Sequence, residues 1–559
     1  MVSFSRRSHM LLASSAALFL ASCGADDVAS PGAGSVPVTI NQPAPTPTPT
    51  GTATPTPLTA AQFAAATTQS GVTITADEQL AIINAGQNNN VNGFGTTLNG
   101  VYPVSGASLT TASNPQTVLG ENAFIQNTSF VGALSGPNDN AFSGWTCNSS
   151  SATFLNSSAC AAVPSIGNGP AASCPTGLTD DGTNEIRNEA GAITSAATLR
   201  YCRLPSIITA DLTLAKVAGL VYRFRGLTEV GVDGGAAATL TIQPGVVLAA
   251  DATETSNDVV LVNRGSKINA VGTADAPIIF TAQQNLRSNG VSDSSQGLWG
   301  GVILLGKAPT AVCATGTGPN TADGTSAGAA APCQQQIEGV TGRLYGGTNA
   351  ADSSGTMQYV QIRYTGIAIS EGNELQGLTL GGTGSGTTID HVQSHNSADD
   401  GIEIFGGTTN LKYFVVTGAD DDGFDVDNGW RGFMQFIIAA QKANGATNDS
   451  FATEIDSNGA EDLLPRTYGR YANFTFIQTA STQNPVAAIR LRGGADFAFV
   501  NGVVKTPSGE ACVNIIAGNQ VNGAAATGND RSTIRPANSA LQDVGPPTFN
   551  SVYFQCQGR

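Results

Sequence analysis

HVQSHNSADDGIEIFGG (His391–Gly407) and YFVVTGADDDGFDVDNG (Tyr413–Gly429) align without a gap over 17 residues at a spacing of 22. Each copy holds a short alternating strand, an acidic turn with Asp-Asp-Gly, a second alternating strand and a glycine corner. Weaker copies flank the pair, Tyr359–Gly366 and Leu375–Gly382 before it, Phe436–Gln441 and Phe451–Gly459 after it. Short strands that recur about every 20 to 25 residues cannot each bury a face alone, but stacked they share one continuous core. The period predicts an all-β fold, a right-handed parallel β-helix. A propeller is the alternative, and its blades need about 40 residues or more.

Alternation assigns the faces. Val392 and Phe414, Ile402 and Phe424, and Ile404 and Val426 are expected to stack inward, which leaves His391, His395, Glu403 and Asp425 outward. Further coils are expected upstream at Leu240–Leu248, Asp258–Gly272, Ala276–Ala282 and Gly297–Gly306, and downstream at Tyr471–Gln478, Ala487–Gly494 and Phe497–Lys505. The solenoid is placed over residues 206–515, with 516–559 as a C-terminal segment.

The acidic turns carry the candidate chemistry. Asp399, Asp400 and Glu403 lie on one coil and Asp421, Asp422, Asp425 and Asp427 on the next. In the 22-residue register, equivalent carboxylates stand ~4.8 Å apart. Charges that close repel, so protons or a cation must intervene. Calcium suits an all-oxygen site at Asp399, Asp400, Asp421, Asp422 and Asp427, with Asn396 and Asn428 in support, and no other cofactor is required. The alternative is a set of Asp-Gly turns whose side chains bond nearby backbone amides. A catalytic reading would use Asp400, Glu403, Asp422 and Asp425, with Arg492 as the basic residue. His391 and His395, four apart on one strand, are expected to share a face, where polar outward positions account for them without a metal. The chain has no Gly-x-Ser-x-Gly elbow, HExxH pair, phosphate-cradling loop or dinucleotide fingerprint in a supporting context.

Composition narrows the partners. The net charge is −16 with only 12% charged residues, which argues against nucleic acid and anionic lipid as ligands. Nine cysteines are present, and eight remain when Cys23 is set aside, enough for four disulfides in an exported chain. Spacing favours Cys313 with Cys333, as a clamp on the Gly/Thr/Ala-rich insertion between them, and Cys512 with Cys556. The pairing of Cys147, Cys160, Cys174 and Cys202 stays open, and zinc-type spacing is absent.

The N-terminus reads as an export signal over residues 1–22: Arg6 and Arg7, an apolar run Met10–Ala21, then Leu20-Ala-Ser-Cys23. That box resembles a bacterial lipoprotein lipobox, which implies lipidation of Cys23 and a membrane held through acyl chains. Gly24, where an Asp would favour inner-membrane retention in that family, implies the outer membrane. Residues 23–57 end in alternating Pro and Thr, a semi-rigid polyproline tether rather than a packed core. Residues 58–205 are expected to form an N-terminal cap with four cysteines and one short helix, from the capping box Thr75–Glu78 through Leu80–Ala85. Such a cap would cover the open end of the solenoid.

The strings LTIQPGVV from Leu240, GLWGGVILLGKAP from Gly297, GLTLGGTGSGTTIDHVQSHNSADDGIEIFGG from Gly377 and DGFDVDNGWRG from Asp422 resemble a family of bacterial extracellular β-helix lipoproteins. The likeness spans about Leu240 to Gln441 and implies fold and location more than activity. It places the protein on the cell surface or released from it, with type II secretion as a route. The expected function is non-catalytic binding or an accessory role, with a surface glycan, a TonB-dependent receptor or a secreted enzyme as partner. Two alternatives stand beside it. Asp400-Gly-Ile-Glu403 resembles the paired-acid strand of β-helix polysaccharide hydrolases, and β-helix lyases combine calcium-bound acids with a basic residue, for which Ala487–Gly494 (AAIRLRGG) is the nearest string. No Gly-His-Gly or Arg-Ile-Lys string accompanies them. The other alternative is a structural surface or adhesin element.

Overall fold

The computed structural model describes residues 112–556 apart from internal stretches that include 149–157, 314–332, 443–449, 479–486 and 526–536. The signal, the tether and the helix expected at Leu80–Ala85 lie outside the described residues. The body is a parallel β-helix with two main sheets, one of ten short strands and one of sixteen strands among the described residues. Successive coils pair in parallel. In the short-strand sheet Leu378–Gly381, Ile402–Phe405, Phe424–Asp427 and Thr453–Ile455 follow one another in register. In the long-strand sheet Thr388–His395 lies between Gly355–Arg363 and Asn410–Thr417.

The inward ladders follow the alternation. Val392 pairs with Phe414, Ile402 with Phe424 and Ile404 with Val426, and all six are buried in one core with Trp299 and Trp430. Such ladders are the main favourable term, since a fully buried large apolar side chain contributes about 1.5–3 kcal/mol.

The long strands are not straight. Tyr359, His391, Tyr413, Phe436, Asn473 and Asn501 have φ of 53, 56, 51, 59, 52 and 55° and succeed one another coil by coil. Asn tolerates this left-handed region, but bulky side chains rarely enter it. Here the rings stack: Tyr359 and His391 centroids are 4.4 Å apart, His391 and Tyr413 4.3 Å, Tyr413 and Phe436 4.7 Å. The corner turns the chain in mid-strand and resets the side-chain alternation.

The described part of the 58–205 region does two things. The antiparallel strands Thr179–Arg187 and Ile193–Arg203 begin the long-strand sheet, stapled by Cys174–Cys202. Before them, residues 113–171 run along the flank of the solenoid, from Asn501 to Gly219, as a strap and not as a lid over its end. Side-chain amides of the coils clasp this strap as a neighbouring strand would. Gln393 accepts from the Cys147 amide and donates to its carbonyl, at 2.8 and 2.7 Å, and Gln435 does the same to Gln126, at 2.8 and 2.7 Å. Asn501 treats Ser113 alike, at 2.8 and 2.9 Å. The eight cysteines form Cys147–Cys160, Cys174–Cys202, Cys313–Cys333 and Cys512–Cys556, so both pairs expected from spacing are bonded.

Candidate functional site

The outward side of the short-strand sheet carries a column of carboxylates. Glu403 stands opposite Asp425, Asp425 opposite Glu454, and Glu454 opposite Arg490, one coil after another. Outward here does not mean solvated: Glu403 is 2% exposed, Asp425 5% and Glu454 1%. The insertion after Leu305 and the loop before Leu378 cover part of this sheet's outer face. Ile337, Tyr345 and Leu375 pack over Leu261, Ile303, Leu305 and Phe405 of the same sheet face. Arg343 fixes that insertion by a two-pronged bond to Glu229, 2.7 Å at each prong.

At the corner before this column, the paired aspartates serve the backbone. Asp400 Oδ1 accepts the Asp422 amide at 2.8 Å, and Asp422 Oδ1 accepts the Phe451 amide at 2.5 Å. The turn reading therefore holds for one oxygen of each. Two groups of carboxylates converge around them, Asp399, Asp400 and Asp421, and then Asp400, Glu403 and Asp425, with one oxygen from each residue within 4.8 Å of the others. Asp422 and Asp427 fall outside both groups. Asp427 lies in register with Phe405 and caps the Asn428 amide at 2.5 Å, and Asn428 donates to the Tyr345 hydroxyl at 3.2 Å. Asn396 donates to the Ser295 carbonyl at 3.2 Å.

Burial dominates the electrostatics. It pushes the carboxyl of Asp400 well above the usual range, and the charges of Asp399, Asp425 and Asp421 push it further. Glu403 rises in the same way, by burial first and then by Glu338, Asp425 and Asp400. Asp422 rises by burial, then by Asp421 and Glu454. Such a set is neutral only by holding protons or a cation. The donor set fits a hard divalent cation. It is all oxygen, and Glu403 Oε2 is enclosed without a hydrogen-bond partner.

Two arginines end the column. Arg490 Nη1 lies 3.3 Å from Glu454, and Arg492 Nε lies 2.9 Å from Glu454 and 2.7 Å from Asp456. Arg492 is thus already matched by acids. Glu454 and Asp456 were missed in the sequence, although Thr453-Glu-Ile455 repeats the pattern of Ile402-Glu-Ile404. The two histidines share the outer side of their strand, as their spacing suggests. His391 sits at the left-handed corner among aromatic rings, and His395 is buried at the end of the same strand, its Nδ1 2.7 Å from Thr417 Oγ1. Burial holds His395 well below its ordinary value, aided by Arg363 and Lys442. Among the described residues, no helix is long and apolar enough to cross a membrane. Cys23 is outside those residues.

No curated protein and no solved structure matches the chain. Residues 206–545, more than half of the chain, match the description of a pectate-lyase like beta helix domain. With its parallel coils and stacked ladders, the chain belongs to the pectate-lyase-like beta-helix family.

Proposed function

We propose that this chain is a non-catalytic extracellular binding protein, held at the outer membrane by lipid on Cys23, whose carboxylate column holds a structural divalent cation. One observation carries the proposal: Asp400, Glu403, Asp422 and Asp425, the acids that catalysis would need, are each no more than 6% exposed. A polymer cannot reach them, whereas a bare ion can sit among them. Calcium is the ion that the oxygen donors favour. The partner is a surface glycan, a TonB-dependent receptor or a secreted enzyme, and type II secretion is the route for a surface location. The test measures calcium binding by equilibrium dialysis alongside product release from acidic and neutral polysaccharides. One tight calcium per chain and no turnover is the expected result, and turnover lost in Glu403→Gln would overturn it.

A polysaccharide lyase is the second reading, favoured by Arg490 and Arg492 at the end of the acid column. An inverting hydrolase fits less well. Its two carboxyls stand about 6.5–9.5 Å apart, and Asp400, Glu403 and Asp425 place oxygens within 4.8 Å.

A further inference from the structure

On the other sheet, at the coils of Phe433 and Arg470, two arginines gather on aromatic rings. Phe433 and Arg470 are in register on neighbouring strands, and the Arg470 guanidinium carbon lies 3.6 Å from the Phe433 ring centroid. Tyr468, on the strand of Arg470, has the Arg470 guanidinium 4.7 Å from its centroid and that of Arg431 at 5.6 Å. Arg431 arrives from the turn after Trp430, where its Nη1 donates to the Arg466 carbonyl at 2.8 Å and to Gln542 Oε1 at 3.3 Å.

Ring faces satisfy the π-side of a guanidinium but none of its N–H edges. Arg470 Nε is enclosed without an acceptor, and among the described residues no carboxylate pairs with Arg470 or Arg431. Of the nearby acids, Glu121 acts on Arg470 and Asp496 on Arg431 only through the charge, without an ion pair. Asp496 and Asp543 both pair with Arg466, at 3.3 and 3.1 Å. Burial lowers Arg470 to about 10, and Arg431 adds to the shift, as expected for like charges held together. Two neighbouring guanidinium groups with no direct ion pair among the described residues are unexpected in a chain of net charge −16 with 41 acidic residues.

We propose that Arg431 and Arg470, with Tyr468 between them, form a binding site for a phosphate monoester. The charge of the pair selects the ligand. Two guanidinium groups call for two negative charges on one compact group, which a phosphate monoester carries at neutral pH and a carboxylate does not. The planar forks of arginine match the phosphate oxygens, two N–H bonds at a time. Tyr468 holds both guanidinium groups against its ring, so the body that bears the phosphate, such as a sugar, would extend away from them. This site lies on the opposite sheet from the carboxylate column, so it stands independently of a cation there.

The test titrates the full chain with glucosamine 6-phosphate, inorganic phosphate, glucosamine and acetate by isothermal calorimetry, and repeats the series with Arg431→Ala and Arg470→Ala. Both phosphates should bind and the two controls should not, with affinity at least tenfold lower in each variant. Tighter binding of the phosphosugar than of inorganic phosphate assigns the source to a phosphorylated glycan, and equal binding assigns it to free phosphate. Glucosamine or acetate binding as well as phosphate, no phosphate binding, or affinity unchanged in both variants would overturn the site. Should Arg470→Ala fail to fold by circular dichroism, Arg431→Ala decides, since its contacts are to neutral oxygens at the surface turn.

Discussion

Asp400 reaches across one coil to accept the backbone amide of Asp422 at 2.8 Å, while its charge stands among those of Asp399, Asp425 and Asp421. The same side chain is therefore a structural acceptor and a member of an over-charged cluster. These roles separate by substitution. Asp400→Asn keeps an oxygen for the Asp422 amide and removes a charge, so in calcium-free buffer it should melt at or above the parent. Asp400→Ala orphans a buried amide and should lose about 1–3 kcal/mol. Thermal unfolding in EDTA compares them. An Asn variant that melts as low as the Ala variant would refute the dual role.

Glu403 tests the cation. Its Oε2 is buried without a partner, so a bound ion would supply what the protein does not. Calcium at a hundredfold excess over its Kd adds about 2.7 kcal/mol to a protein that binds one ion only when folded. The parent should therefore melt higher in calcium than in EDTA. Glu403→Gln should melt no lower than the parent in EDTA and gain nothing from calcium. A calcium increment that survives the substitution would place the ion elsewhere.

Much of this was legible in the sequence, and the failures have physical causes. The 22-residue register placed Glu403 opposite Asp425 and Val392 opposite Phe414 because inward ladders need identical spacing on each coil. Strict alternation failed at His391, where a positive φ turns the strand, so that Ile389 and Val392, three apart, both face the core. A stack of aromatic residues in the left-handed region defies the usual preference for Gly or Asn, so no local rule marks it. Burial of the acids was hidden for another reason. Glu338 and Tyr345, which stand near Glu403, belong to an insertion with no repeat of its own. The strap was hidden in the same way, since its partners, such as Gln393 for Cys147, are 246 residues distant in the chain.

The C-terminal coils should be sensitive to alkali. Burial raises Asp496 to about 7 against the pull of Arg466, and raises Glu510 to about 8. Unfolded carboxyls titrate near ~4, so the folded protein holds these protons more tightly. The resulting stability is complete below about pH 4 and is lost as pH rises through about 7 for Asp496 and about 8 for Glu510. Urea midpoints measured from pH 5 to 9 should fall in the parent and fall less steeply in the double variant Asp496→Asn, Glu510→Gln. Equal slopes in the two proteins would remove these groups from the account.

The strap gives the last prediction, because its hold on the solenoid adds to apolar packing, such as Trp145 with Val415, a set of polar clasps and a disulfide that can be removed singly. Cys147 and Cys160 close a loop of 13 residues beside Tyr364, and the buried Arg363 donates to the carbonyls of Cys160 and Ala162 at 2.6 and 2.7 Å. A loop of that size restricts the unfolded chain by about 3 kcal/mol in the entropy model. The coils beneath have their own ladders, so losing the staple should free the strap locally. The Cys147→Ser, Cys160→Ser variant should exchange backbone amides faster around residues 141–148 and 160–166, while Ile389–His395 and Leu411–Thr417 keep their protection. Arg363→Met should enlarge the same local effect, since it strips two strap carbonyls of their donor. Faster exchange spreading through the coils would instead make the strap part of one cooperative unit with the solenoid.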